Sequence, residues 1–106
     1  MNDFNYRDDR LWCEDVPVEV IAGKVGTPFY LYSHKPLLQH FRVFDEALRD
    51  VPHIICYAAK ANSNLAILRL FVKEGGGVDI VSGGELYRAL QVGADRRIVT
   101  DRRAVL

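Results

Sequence analysis

From residue 54 onward the sequence predicts a parallel α/β fold, and three observations support this prediction. Short apolar runs at 54–59, 78–81 and 98–100 have the length and the β-branched content of strands. Apolar residues recur at helical spacing in the two segments between these runs. The order is therefore strand, helix, strand, helix, strand, an alternation that favours parallel βα units with right-handed crossovers.

The first 33 residues predict short elements of mixed type. Residues 11–13 are a candidate strand, with the tryptophan packed inward. Apolar residues at helical spacing predict a helix within 16–26, where Pro17 suits the first turn and Gly26 suits a left-handed exit. The aromatic run 29–32 then predicts a compact strand.

The clearest amphipathic helix is predicted to follow Ser33, which is a suitable N-cap. The proline-containing segment 50–52 is expected to end this helix. His53 then lies at the N-terminal end of the next strand and is interpreted as structural or solvated. The apolar face of the helix is formed by side chains that step by three and four residues: Leu37, Phe41, Phe44 and Leu48.

The two helices between the strands have their own start and stop signals. Ser63 or Asn64 can cap the first helix, and the glycine run 75–77 ends it. Ser82 and Glu85 match a capping box at the start of the second helix, which ends near residue 93.

The stretch 57–62, Tyr-Ala-Ala-Lys-Ala-Asn, is the predicted functional centre. It places a single lysine, Lys60, at the carboxyl end of an apolar strand, where active sites of parallel barrels collect. Desolvation there would raise the fraction of free amine, and a free amine can form a Schiff base with an aldehyde cofactor. The alternative is an ordinary lysine whose stem packs on the strand while its ammonium reaches water.

Two carboxylates lie at or just beyond the end of the second predicted strand. Asp79 falls inside an apolar run, and a buried carboxylate is costly unless it is paired. Glu85 has a structural alternative, because the capping box accounts for a glutamate at that position. Since the carboxyl ends of adjacent parallel strands lie side by side, the sequence predicts one pocket shared by Lys60, Asp79 and Glu85.

Composition excludes several other classes of function. Fourteen basic and fourteen acidic residues cancel, so no nucleic-acid or membrane partner is indicated. Cys13 and Cys56 stand far apart, and no histidine or cysteine spacing is typical of a metal site. The N-terminus lacks the apolar core of a signal peptide, and no run is long enough to span a membrane. A reduced, cytoplasmic protein is expected.

Four segments together resemble the fold-type III pyridoxal-phosphate-dependent decarboxylases, and within that family its diaminopimelate decarboxylase branch. The tyrosine-to-asparagine stretch around Lys60 would by itself fit several branches. The segment 82–86, Ser-Gly-Gly-Glu-Leu, favours this branch over ornithine and arginine decarboxylases and alanine racemase. The resemblance covers the N-terminal portion of the family and is found at 13–17, 26–33, 57–64 and 78–89.

The resemblance implies a fold, a cofactor and an activity. Residues 1–33 would be an N-terminal segment of the family's β-rich domain, and 34–106 an incomplete (β/α)8 TIM-type barrel. Lys60 would be the catalytic lysine that binds pyridoxal 5′-phosphate, and Asp79 and Glu85 would line the same pocket. The implied reaction is decarboxylation of meso-diaminopimelate to L-lysine, in lysine biosynthesis, by a homodimer with shared active sites.

The length of the chain limits what it is expected to do alone. A complete barrel needs about 250 residues, so this chain of 106 residues reaches about three of eight strands. The tail 100–106 also departs from the family pattern. We therefore expect a fragment with little activity of its own. The alternatives are a non-catalytic decarboxylase-like fragment that binds full-length subunits, and a pyridoxal-phosphate carrier protein.

Overall fold

The computed structural model describes residues 3–101, which fall into two compact units that divide between His40 and Phe41. The first unit contains β1 (Phe4–Arg7), β2 (Arg10–Cys13), β3 (Val16–Pro17), α1 (Val18–Val25) and the start of α2 (His34–Ala47). The second contains the rest of α2, β4 (Cys56–Ala58), α3 (Leu65–Lys73), β5 (Gly77–Ile80), α4 (Gly83–Gln91) and β6 (Val99–Asp101).

The first unit is built on an antiparallel sheet in the order β1-β2-β3. The strand expected at 11–13 is confirmed as part of β2, whereas β1 was not anticipated. Asp8 and Asp9 join these two strands with φ angles of 49° and 61°. Two successive residues with positive φ match the twist of a tight hairpin, and aspartate tolerates this conformation.

The helix predicted within 16–26 is confirmed as α1, with one change at its start. Pro17 is the N-cap residue in an extended conformation, and so it precedes the first turn. At the other end Gly26 has a φ of 80°, and its N–H donates to the Ala22 carbonyl at 2.9 Å. The expected positive-φ exit at this glycine is therefore present.

Ser33 does not cap α2, contrary to the sequence prediction. Its hydroxyl donates to Glu14 Oε2 at 2.7 Å, and the same carboxylate oxygen accepts the N–H of His34 at 3.2 Å. Glu14 thus provides the acceptor that a free helix N-terminus requires. The Ser33 hydroxyl, followed by the backbone N–H groups at the start of α2, lowers the pKa of Glu14.

The strand predicted at 29–32 is wrong, because this segment is irregular. Its aromatic composition favours a strand locally, yet it pairs with no strand among residues 3–101. Tyr30 and Tyr32 are exposed, and Phe29 and Leu31 are only half-buried, so none of the four side chains is fully buried. The strand propensity of these aromatic residues is not enough to form a strand where no neighbouring strand pairs with them.

In the second unit, α2 packs through only part of its predicted apolar face. Phe41 is buried and contacts the Phe71 ring at a centroid distance of 5.8 Å. Arg42 donates two hydrogen bonds to the Glu74 carboxylate, at 2.9 and 2.8 Å. Phe44 is 52% exposed, so the apolar face expected along α2 is incompletely covered.

His53 follows α2 and is held by two acceptors. Its Nδ1 lies 2.7 Å from the Val51 carbonyl, and its Nε2 lies 2.6 Å from Asp45 Oδ1. Only the protonated ring can donate to both, so the Val51 hydrogen bond and then the Asp45 carboxylate raise the pKa of His53. These bonds agree with the structural role that the sequence indicated.

The stability that His53 adds is expected to depend on pH. Its folded pKa lies above the ordinary value of about 6.5, so the stabilisation is complete below that value and is lost as the pH rises through the folded pKa. We expect the urea midpoints of the wild type and His53→Asn to differ most in mild acid and to converge as the pH rises through the raised pKa of His53. His40→Asn, at an exposed position in α2, is the control. A difference that does not vary with pH would contradict this assignment.

The second unit contains a parallel sheet in the order β4-β5-β6, with α3 and α4 as the connections. The predicted alternation of strands and helices is confirmed. Asn64 caps α3 by accepting the Ala66 N–H at 2.9 Å, and Ser82 caps α4. A cluster of buried side chains forms the core: Ala59, Leu68, Val78, Ile80, Ala89, Val92 and Ala94.

Within residues 3–101 no helix is long and apolar enough to cross a bilayer.

Candidate cofactor site at the open face of the parallel sheet

The parallel sheet has two unlike faces. Tyr57, Val78 and Val99 are paired across the three strands and pack into the core. Side chains alternate along a strand, so the neighbouring set Cys56, Ala58, Asp79 and Thr100 lies on the opposite face. None of these four is fully buried, whereas Val78 has no accessible surface. We call the face that bears these four residues the open face.

Lys60 lies at the carboxyl end of β4, although not directly after a strand. The run predicted as a strand at 54–59 is regular only at Cys56–Ala58, and Ala59–Ala61 form one turn of 3₁₀ helix. Ala59 is completely buried, but Lys60 is exposed. The prediction that Lys60 is desolvated by burial is therefore wrong, because its side chain is accessible to solvent.

The turn that bears Lys60 is held on the side of the core. The Tyr57 ring stacks on Phe71 at a centroid distance of 4.6 Å with an interplanar angle of 16°. Its hydroxyl donates to the Asn62 carbonyl at 2.9 Å, which bridges the two ends of the turn. Tyr57 thus packs against the core, and its hydroxyl anchors the turn that carries Lys60.

Asp79 is hydrogen-bonded on the open face. In the parallel ladder it pairs with Ala58 on one side and with Thr100 on the other. The Thr100 hydroxyl donates to Asp79 Oδ1 at 3.0 Å. This hydrogen bond offsets part of the free-energy cost of half-burying the carboxylate. Burial raises the pKa of the neighbouring Cys56 thiol, and the Asp79 charge raises it further. The Asp79 charge therefore acts on Cys56 of the adjacent strand.

Glu85 acts as a cap, as its structural alternative predicted. Its N–H donates to Ser82 Oγ at 3.1 Å, and its Oε1 accepts the N–H of Val81 at 2.8 Å. In a standard capping box the carboxylate returns to the N-cap residue, whereas here it reaches one residue earlier. Glu85 thereby joins the end of β5 to the start of α4.

The structure brings part of the predicted site together. Asp79 lies beside Ala58, and Lys60 follows Ala58 by two residues at the same edge of the sheet. Asp79 accepts a hydrogen bond from the Thr100 hydroxyl, and Glu85 accepts one from the Val81 N–H. The sequence analysis did not name Thr100 as a site residue. Its position in the third predicted strand was the signal that could have placed it near Asp79. In the same range no group of three potential metal ligands is found.

A family model described as the pyridoxal binding domain of pyridoxal-dependent decarboxylases matches residues 35–103. The chain belongs to the pyridoxal-dependent decarboxylase family. The matched region includes Lys60, Asp79 and Glu85. The family resemblance inferred from the sequence is thus confirmed.

Known pyridoxal-dependent decarboxylases show how much of the family this chain represents. It is 50% identical over 96 residues to diaminopimelate decarboxylase of Vibrio cholerae, and 46% identical over 95 residues to that of Haemophilus influenzae. Each alignment covers 90% of this chain and 23% of the relative. The chain therefore spans about a quarter of the length of these relatives.

Solved structures of pyridoxal-dependent decarboxylases also match. A crystal structure of diaminopimelate decarboxylase from M. jannaschii aligns with a TM-score of 0.87 at 33% identity, covering 93% of this chain and 24% of that one. The Helicobacter pylori diaminopimelate decarboxylase complexed with L-lysine aligns with a TM-score of 0.74 at 40% identity, covering 79% and 21%. The mixed α/β fold described above is that of the N-terminal part of these enzymes.

Proposed function

We propose that this chain forms the cofactor-binding part of a pyridoxal-phosphate-dependent carboxy-lyase that converts meso-diaminopimelate to L-lysine. The main supporting observation is the position of Lys60. Its amine is exposed at the carboxyl edge of a parallel sheet, beside a strand that bears Asp79, within the region that matches the pyridoxal binding domain. This is the edge at which parallel α/β proteins bind their ligands.

The residues present fit the aldehyde end of the cofactor. A primary amine is the group that binds an aldehyde carbon covalently, and the Tyr57–Asn62 hydrogen bond holds the Lys60 turn in one place. When bound, the cofactor supplies the electron sink for the carbanion that loss of carbon dioxide leaves. Lys60 would therefore hold the cofactor through its side-chain amine.

The two acids are assigned different roles. Asp79 places negative charge on the open face, where it would stabilise a nearby cation and accept or return a proton. Glu85 holds the segment between β5 and α4 through its bond to the Val81 N–H, and it forms a wall of the proposed pocket. In this proposal both acids are cofactor-binding residues, and Lys60 alone is catalytic.

The names of the relatives support the choice of substrate. The curated relatives are diaminopimelate decarboxylases, and three of the solved structures are described in complex with L-lysine. We further propose that β4, β5 and β6 correspond to the first strands of a (β/α)8 barrel. Residues 1–33 would belong to the β-rich domain and 34–106 to the barrel. A cytoplasmic homodimer is part of the same proposal.

Chemical trapping tests the proposal without a mutation. The purified chain is incubated with pyridoxal phosphate, reduced with sodium borohydride, digested and mapped by mass spectrometry. We expect the label mainly on Lys60, although Lys24, Lys35 and Lys73 are also exposed. Label spread evenly over these four lysines would refute a cofactor site in this chain and would favour a non-catalytic fragment that binds full-length subunits.

A further inference from the structure

We infer that Thr100 is a positioning residue, which holds the Asp79 carboxylate in place beside the strand that leads to Lys60. This inference rests on the proposed function, because it gives Asp79 a role at the cofactor. Thr100 makes this contribution through Asp79, and it lies in the part of the chain where the resemblance to the family pattern ends.

The register of the sheet sets the geometry. Asp79 pairs with Ala58 on β4 and with Thr100 on β6, so the three residues form one row across the open face. Paired residues of a parallel ladder point to the same face of the sheet. The hydroxyl of Thr100 donates to Asp79 Oδ1 at 3.0 Å, a normal hydrogen-bond distance.

Threonine is well suited to hold a carboxylate at this place. Its branched Cβ restricts χ1 on a strand, so the hydroxyl occupies a narrow range of positions. A hydroxyl that donates to an ionised carboxylate also stabilises the charge, because such charge-assisted bonds are stronger than neutral ones. The result is a negative charge whose distance from the end of β4 is set by the sheet.

Cys56 provides a reporter on the same face that needs no cofactor. The thiol is half-buried, and the charge of Asp79 adds to burial in raising its pKa. The positive end of the Thr100 hydroxyl dipole offsets part of the Asp79 field. Removing that hydroxyl should therefore increase the repulsion between Asp79 and a Cys56 thiolate.

The first measurement is the pH profile of Cys56 labelling by iodoacetamide, with peptide mapping to separate Cys56 from Cys13. Thr100→Val removes the hydroxyl but keeps the shape and the strand preference of the side chain. We expect it to move the profile to higher pH, and Thr100→Ser to restore the wild-type profile. In an Asp79→Asn background Thr100→Val should have no effect. An unchanged profile in Thr100→Val would overturn the inference.

The second measurement is the rate at which borohydride traps pyridoxal phosphate on Lys60. Thr100→Val is expected to lower this rate roughly two- to tenfold, the effect of losing one hydrogen bond, and Thr100→Ser to recover it. Equal rates for the wild type and Thr100→Val would overturn the link between Thr100 and cofactor binding.

The two measurements distinguish failure of this inference from failure of the proposed function. If wild-type Lys60 is trapped no faster than Lys73, the proposed function fails. The pH profile of Cys56 labelling still decides whether Thr100 holds Asp79. The unfolding midpoint of each variant is measured alongside, so that a loss of folding is not mistaken for a loss of positioning.

Discussion

Lys60→Ala is expected to abolish the dialysis-resistant visible absorbance that the chain acquires with pyridoxal phosphate. The reason is chemical, because alanine offers no amine to the aldehyde carbon. Lys60 is exposed on a 3₁₀ turn, and its alkyl chain is not part of the buried core, so the substitution should leave the fold intact. The measurement is an absorbance titration followed by dialysis, with circular dichroism to confirm that the variant is folded.

Two further variants test whether the absorbance requires the amine of Lys60 itself, rather than its positive charge or any exposed lysine. Lys60→Arg keeps the positive charge but replaces the amine with a guanidinium that stays protonated, so it should lose the absorbance as alanine does. Lys73→Ala removes another exposed lysine of the second unit and should retain the absorbance. An absorbance that persists in Lys60→Ala would mean that surface lysines account for the signal, and Lys60 would then have no special role.

The predictions that succeeded concern features set by local sequence. The apolar runs and the helical spacing between them gave the alternation of β4, α3, β5, α4 and β6 because each element buries its own apolar residues in one core. The caps at Asn64 and Ser82 were predictable for the same reason, since each satisfies an N–H within three residues. The place of Lys60 at the end of a strand followed from this pattern.

The features that were predicted wrongly or missed depend on contacts between residues far apart in the chain or on where a strand ends. Ser33 has the right chemistry for an N-cap, but Glu14, nineteen residues away, occupies the acceptor position. The exposure of Lys60 depends on where the strand ends, and a 3₁₀ turn of three small or polar residues has no clear sequence signal. The pairing of Asp79 with Thr100 requires the register of β5 and β6, which no local pattern specifies.

Gly77→Ala is expected to be the most destabilising single methyl addition in the second unit. A Cβ at this position would lie 2.4 Å from the Ile98 carbonyl oxygen and 2.7 Å from Cys56 Sγ. Gly77 lies in β5, the central strand, so the contacts come from the neighbouring elements on both sides. The carbonyl is backbone and cannot rotate away as a side chain could, so β5 must move apart from β6 or shift in register. We expect a loss of about 3 kcal/mol in the free energy of unfolding, the upper part of the usual range for overpacking.

Gly83→Ala is the matched control, because a Cβ there meets no atom within 4 Å and the residue begins α4. It should be neutral or slightly stabilising, since alanine restricts the unfolded chain more than glycine does. Urea unfolding of both variants measures the difference between their free energies of unfolding.

Trapping of pyridoxal phosphate on Lys60 measures the effect of Gly77→Ala on the proposed site. Ala58, Asp79 and Thr100 keep their places only while β4, β5 and β6 stay in register. Gly77→Ala should therefore also slow trapping under conditions where most molecules remain folded. Equal stabilities for the two variants would mean that the sheet can absorb a methyl group at Gly77. The close approach of Cys56 and Ile98 to Gly77 would then not set the spacing of the strands.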